Sequence, residues 1–255
     1  MSLSYFLSGG LEITLEFSAG ILAAFLTTAS GNIFNDIMDL EIDRINSPLR
    51  PLPARIFTVR QAFLFFYIFT ISALLLAYFI SITVFLIVIF TQLTLVAYSF
   101  KLKRLPFSGN LTIGLLTGTA FIYGAVLGGE TEHAFIPAVV AGLANVLREV
   151  VKDIQDIEGD RKGGARTFPI VYGVNIALLV VINISSLFIF TSALPFFMGY
   201  YNINYLLVVF LLVHPFLIFS LKQLVNSTEA TSLRSVSRNL KIIMLMGIVA
   251  LYAGR

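Results

Sequence analysis

The chain has 255 residues, 58% hydrophobic and 12% charged, and its 17 basic and 14 acidic side chains give a formal net charge of +3. A mean hydropathy of +0.91 excludes a water-soluble domain of this length and places the chain among polytopic membrane proteins. The absence of cysteine excludes disulfides, thiolate metal sites and a cysteine nucleophile.

Eight stretches approach the roughly 20 apolar residues that cross a hydrocarbon core. They lie at about 11–35, 59–80, 82–100, 110–129, 134–152, 174–198, 203–222 and 239–254. Helices are the expected spanning elements, because an open strand leaves backbone groups unpaired in lipid. The expected fold is therefore all-α, a polytopic transmembrane helix bundle. The first basic residue is Arg44, so a cleaved signal peptide is not expected.

The first span runs into NDIMDLEIDR (35–44), with four acids in ten positions. A helix continued through it at about 100° per residue puts Asn32, Asn35, Asp36, Asp39 and Asp43 on one stripe and turns Glu41 away. The third span ends at Lys101-Leu102-Lys103-Arg104. Positive-inside bias explains such a loop; so does phosphate binding by Lys101 or Arg104, with Lys103 facing lipid headgroups. In the fourth span, the spacings Gly114/Gly118 and Gly124/Gly128 suit close helix packing. The fifth span ends in a second acidic segment, KDIQDIEGDR (152–161), with Lys152, Asp153, Asp156 and Asp160 on one face and Asn145, Arg148 and Glu149 behind them. His133 and His214 lack ligand-like spacing and are expected to be structural or loop residues.

If the spans alternate, every basic residue except Arg255 falls on one face with both acidic segments, and the positive-inside tendency makes that face cytoplasmic. An offset of 117 residues aligns DIMDLEIDR (36–44) with DIQDIEGDR (153–161), identical at six of nine positions. Each half then supplies four spans, so two parallel repeats are expected, about 11–129 and 134–254, within a single domain covering 1–255.

Clustered carboxylates repel one another and are costly beside lipid, so they are expected to bind cations or face a polar cavity. Two facing clusters would form an acidic cup. Mg2+ accepts carboxylate and amide oxygens and leaves positions for phosphate oxygens, so a diphosphate is the expected ligand. Arg44, Lys101, Lys103, Arg104, Arg148, Lys152 and Arg161 are near enough in sequence to contact its remaining oxygens. A solvated charged helix end is the competing reading of either segment alone.

GNIFNDIMDLEIDRINSPLRPLP (31–53) and REVVKDIQDIEGDRKGGARTFP (148–169) resemble the two aspartate-rich signatures of the UbiA superfamily of intramembrane prenyltransferases. YSFKLKRLPFSGN (98–110) is similar to that family's basic loop, and the likeness covers nearly the whole chain. The resemblance implies a helical bundle around a central cavity, a prenyl diphosphate donor held through Mg2+, and a lateral opening to lipid. Matching signatures assigns Asn35, Asp39, Asp43, Asp156 and Asp160 as metal ligands, the four aspartates also being catalytic, with Asp36 and Asp153 accompanying them. Substrate binding is expected from Asn32, Asn35, Asp36, Arg44, Lys101, Arg104, Arg148, Lys152, Asp153 and Arg161. Family members usually have nine spans with the first signature ending the second, so one N-terminal helix is expected to be missing here.

Within the superfamily, RINSPLRPLP and REVVKDIQDIEGD look most like the branch that adds a second geranylgeranyl chain to geranylgeranylglyceryl phosphate in archaeal ether-lipid synthesis. KDIQDIEGD also resembles homogentisate prenyltransferases and N-x-P-x-R-P resembles chlorophyll synthases, so an aromatic or chlorophyllide acceptor stays open. Tyr98, Tyr123 and Tyr172 are candidates for facing a prenyl cation, with helix packing as the alternative. A cation-coupled transporter is the rival of another class; its site belongs near the midplane, whereas these carboxylates lie at helix ends. Expected partners are the prenyl diphosphate, a lipid acceptor and membrane lipids, with no nucleic acid and no obligate protein partner. The expected location is the cytoplasmic membrane, multi-pass.

Overall fold

The computed structural model describes residues 1–255 apart from Leu11 and Gly163, and apart from the side chains of Asn46, His133 and Lys162. Expectations resting on those positions, the role of His133 and the first span's start at Leu11, lie outside the described residues. The described residues form helices and turns with no strand. They fall into two compact units, Gly10–Lys103 and Met1–Gly9 with Arg104–Arg255.

The Gly10–Lys103 unit contains α2 (Leu15–Met38), α3 (Leu40–Asn46), α4 (Val59–Ile80) and α5 (Ile82–Phe100), following α1 (Ser2–Leu7) of the other unit. Thr14 caps α2, and Thr58 with Gln61 forms a reciprocal capping box on α4, satisfying amides that a helix start leaves open. Helix α2 packs on α4 and α5. Ser30 of α2 meets Gln92 of α5 at 3.0 Å, and Gln92 donates to Thr70 of α4 at 3.0 Å. These pairs satisfy polar groups that lipid would leave bare.

The second unit adds α6 (Ser108–Gly128), α7 (Phe135–Gln155), α8 (Ile157–Lys162), α9 (Phe168–Tyr172), α10 (Val174–Phe197), α11 (Ile203–Val208), α12 (His214–Asn226) and α13 (Ala230–Ala253). Helix α7 is central, packed by α6, α10 and α13, and its Leu147, Val150, Val151 and Ile154 are buried with Val181, Leu217 and Ile243. A π-helical turn, Val209–Val213, joins α11 to α12. Buried His214 contacts the Ser192 hydroxyl through Nε2 at 2.8 Å, the structural role expected of it.

Among the described residues, seven helices are long and apolar enough to cross a membrane: α2, α4, α5, α6, α10, the stretch Ile203–Asn226, and α13. The sequence led to eight. The remaining one, the span expected at 134–152, corresponds to α7, 21 residues long, whose last turns carry the charges Arg148, Glu149, Lys152 and Asp153 and set it apart from the seven. Large apolar side chains such as Phe79 and Phe197 are 82% and 72% exposed, a surface suited to lipid and not to water.

The glycines of α6 act by letting backbones approach. A Cβ on Gly142 of α7 would stand 2.9 Å from the carbonyl oxygen of Gly114, and one on Gly118 would stand 3.0 Å from that of Ala138. Gly124 and Gly128 do the same toward α1, where the Met1, Tyr5 and Ser8 carbonyls lie. Gly142→Ala is therefore expected to destabilise the α6–α7 crossing by about 1–3 kcal/mol. The check is a lower thermal midpoint in detergent, opposite in sign to the usual gain from replacing a helical glycine by alanine.

Candidate functional site

Both acidic segments fold in the same local way. Helix α2 ends at Met38, Asp39 takes φ −96° and ψ 1°, and α3 resumes at Leu40. Helix α7 ends at Gln155, Asp156 takes φ −98° and ψ 7°, and α8 resumes at Ile157. The expectation of an uninterrupted helix through the first segment is corrected: each helix breaks at the corresponding aspartate. Hydrogen bonds of helical spacing bracket both breaks. Asp39 N donates to Asn35 O at 2.9 Å and Asp43 N to Asp39 O at 2.8 Å, while Asp156 N donates to Lys152 O and Asp160 N to Asp156 O, each at 2.9 Å.

In the first segment every carboxylate of the stripe has a cation. Lys103 Nζ donates to Asp39 Oδ1 at 2.6 Å and to Asn35 Oδ1 at 2.8 Å, and Asn35 Nδ2 donates to the other Asp39 oxygen at 3.0 Å. Arg50 donates to Asp43 at 2.8 Å and to Asp36 at 3.3 Å. Asp43 is buried, and the side chains of Lys103 and Asp39 are 14% and 18% exposed, so the Lys103–Asp39 pair lies well inside the surface, whereas Arg50 and Asp36 meet at it. Asn32, Asn35, Asp36, Arg50 and Pro51 line an open hollow beside them. Arg44 instead pairs with Glu41 at 2.8 Å on the exposed side of α3.

In the second segment Asp153 accepts from Asn110 Nδ2 of α6 at 2.8 Å, and Asp156 accepts a long bond from Gln155 at 3.4 Å. Partial burial, and then the nearby Asp156 carboxylate, push the Asp160 carboxyl up from its ordinary value; Lys152 partly opposes the shift. Arg148 pairs with its neighbour Glu149. Lys152 and Arg161 are exposed.

Arg50 and Asn110, neither among the expected residues, hold these carboxylates together with Lys103, which was expected only as a phosphate or headgroup contact. In the basic loop Lys103 does not face out toward headgroups but reaches Asp39, while Lys101 and Arg104 are exposed. A three-residue 3-10 turn, Leu102–Arg104, sets which of the cations points back. Arg50 follows Asp43 by seven residues in a turn closed by Arg50 N to Ser47 O and Ala54 N to Arg50 O. Tyr172 packs on Phe168 and is 52% exposed, whereas Tyr123 is buried.

Among the described residues no three histidine, cysteine or acidic side chains converge as a ready-made metal cage. The donor chemistry nonetheless suits a hard cation: Asp39 and Asn35 direct oxygens at one point, which the Lys103 ammonium takes. A double-mutant cycle on unfolding free energy is expected to give Lys103 and Asp39 a coupling of about 1–3 kcal/mol. The exposed Arg44–Glu41 pair, run in parallel, is expected to give about 0.2–1 kcal/mol.

The family model described as the UbiA prenyltransferase family matches residues 1–245. A digeranylgeranylglyceryl phosphate synthase of Methanosphaera stadtmanae is 32% identical over 245 residues, covering 96% of this chain and 90% of that one. A solved structure concerned with digeranylgeranylglyceryl phosphate synthase in membranes superposes with a TM-score of 0.90 at 34% identity, covering 99% and 90% of the two chains. A UbiA homologue from Archaeoglobus fulgidus bound to GPP and Mg2+ shares the fold, with a TM-score of 0.74 at 21% identity over 98% and 94% of the chains. With two aspartate-broken helix ends and this likeness along its length, the chain is a multi-pass membrane protein that belongs to the UbiA prenyltransferase family.

Proposed function

We propose that the chain transfers a geranylgeranyl group from geranylgeranyl diphosphate to geranylgeranylglyceryl phosphate, forming an ether bond in archaeal membrane lipid synthesis, with Mg2+ as cofactor. The observation that carries this reading is the likeness, over nearly the full length of both chains, to a digeranylgeranylglyceryl phosphate synthase. Aromatic and chlorophyllide acceptors, left open by the sequence strings, have no comparable support. In this reading the chain acts as one domain of two half-repeats, about 11–129 and 134–254, with both signatures at the cytoplasmic face.

Asn35, Asp39 and Asp43 of one signature and Asp156 and Asp160 of the other would hold the metal, with Asp36 and Asp153 beside them. Mg2+, when bound, offsets negative charge on the departing diphosphate. Lys103 and Arg50 already pair with the first set of carboxylates and offset two of its three charges. With those oxygens given over to a metal, Lys103 and Arg50 would be available to bind phosphate. Lys101, Arg104, Lys152 and Arg161 supply further positive charge from exposed positions, while Arg44 and Arg148 first have to leave Glu41 and Glu149. The allylic carbon–oxygen bond to diphosphate breaks, and the acceptor hydroxyl oxygen bonds to that carbon with loss of its proton.

Asp39→Asn and Asp156→Asn are each expected to lower turnover by at least about a hundredfold, because each removes a charged metal ligand. EDTA is expected to abolish the wild-type rate and excess Mg2+ to restore it; normal turnover in either variant overturns the ligand assignment. Incubating labelled geranylgeranyl diphosphate and Mg2+ with geranylgeranylglyceryl phosphate, 4-hydroxybenzoate, homogentisate or chlorophyllide tests the acceptor. The glyceryl phosphate lipid is expected to carry the label, and exclusive transfer to an aromatic acceptor refutes this choice.

A further inference from the structure

Of the chain's 14 acidic side chains, six are the stripe aspartates of the two signatures and seven, all glutamates, are exposed. Glu149 is the one that remains. It lies in α7, its side chain is 18% exposed, and it pairs with Arg148, its neighbour in sequence. Holding an ion pair half-buried in a membrane helix is costly, and a charge kept there in spite of that cost marks a working group more often than a packing one.

Helix geometry places Glu149 relative to the second signature. At about 100° per residue it falls within about 40° of Asp153 and about 20° of Asp156, and at about 1.5 Å per residue it stands about 6 Å and about 10 Å deeper along the axis. Glu149 and Asp153 are near enough for their charges to act on one another. One turn deeper again, Asn145 lines a cavity of about 220 Å³, which is open beside Gly247 of α13, where a Cβ would meet nothing within 4 Å. Glu149 therefore stands between the aspartates proposed to hold metal and open space among the helices.

Ether formation needs a proton acceptor at such a place. As the electron pair of the allylic carbon–oxygen bond leaves with diphosphate, the acceptor hydroxyl oxygen bonds to that carbon and becomes acidic, so its proton passes to a base within hydrogen-bond reach. The reacting carbon is joined to the apolar side of the diphosphate and so lies deeper along α7 than the aspartates. Those proposed as metal ligands are poor proton acceptors, because a metal holds their lone pairs. Asn145 has no basic group and donates to Thr117 at 2.9 Å, while His214 is engaged with Ser192 at 2.8 Å in the middle of the Ile203–Asn226 stretch.

We propose that Glu149 is the general base of the transfer, taking the proton of the acceptor hydroxyl as the ether bond forms. The inference rests on the proposed prenyl transfer and adds to it a catalytic residue outside both aspartate sets. Arg148 holds the carboxylate until the diphosphate draws the guanidinium away. The neutral acid then gives its proton to water before the next turnover.

The test uses the full chain in detergent with Mg2+, geranylgeranylglyceryl phosphate and geranylgeranyl diphosphate carrying heavy oxygen at its bridging position. Wild type is compared with Glu149→Gln and Glu149→Asp, and folding is confirmed by thermal midpoint. Glu149→Gln is expected to lower kcat for the ether by at least about a hundredfold, and Glu149→Asp by less. Two readouts are expected to persist in Glu149→Gln: binding of geranylgeranyl thiolodiphosphate with Mg2+, and migration of the heavy oxygen to non-bridging positions of recovered donor, which follows carbon–oxygen cleavage alone. If Glu149→Gln forms the ether at the wild-type rate, the leaving diphosphate or water takes the proton, and the assignment is overturned while the function stands. Loss of analogue binding or of oxygen migration in proportion to turnover also overturns it, because Glu149 then shapes the site without accepting a proton. If wild type prenylates none of the acceptors, the proposed function fails and the base assignment falls with it.

Discussion

Negative charge placed at the end of an apolar helix is the constraint on which this molecule depends. A carboxylate beside hydrocarbon is costly unless a cation or donor meets it. In the first signature that requirement is met twice, by Lys103 on Asp39 and by Arg50 on Asp36 and Asp43. The loops that carry these cations are consequently part of the site. The stretch after α3 folds back through a tight turn to deliver Arg50, and the turn after α5 selects Lys103 from three neighbouring cations. The second signature solves the problem with less charge: Asn110 donates to Asp153, and Asp160 is left with a raised proton affinity.

The break at Asp39 and its counterpart at Asp156 serve both chemistry and packing. At each, a long helix stops and a short one carries the remaining carboxylates onward. The two breaks have nearly the same backbone angles, as expected of one local solution used twice.

Elsewhere, a membrane protein lacks a strong apolar drive to hold helices together, because lipid tails compete with side chains. Close backbone approach and internal polar pairs take that part here. Gly114 and Gly142 bring α6 against α7, and the Ser30–Gln92–Thr70 chain ties α2 to α5 and α4. Gly247 shows that the same residue type marks empty space when no neighbour faces it.

Hydropathy and period determined the helical class, the membrane setting and the position of both signatures, since these follow from local composition and from the 3.6-residue turn. The clustering of Asn35, Asp39, Asp43, Asp153, Asp156 and Asp160 at two helix ends was legible for the same reason. The partners of those residues were not. Lys103 stands 64 positions from Asp39 and Asn110 stands 43 from Asp153, and pairing over such separations depends on how helices pack and how loops turn. Charge density in the loop Lys101–Arg104 marked a group of candidates but could not single one out, because a 3-10 turn points successive side chains in different directions. The difference between glycines that bring helices together and one that borders a cavity likewise exists only once the neighbouring helices are in place, since a missing side chain has meaning only relative to what surrounds it.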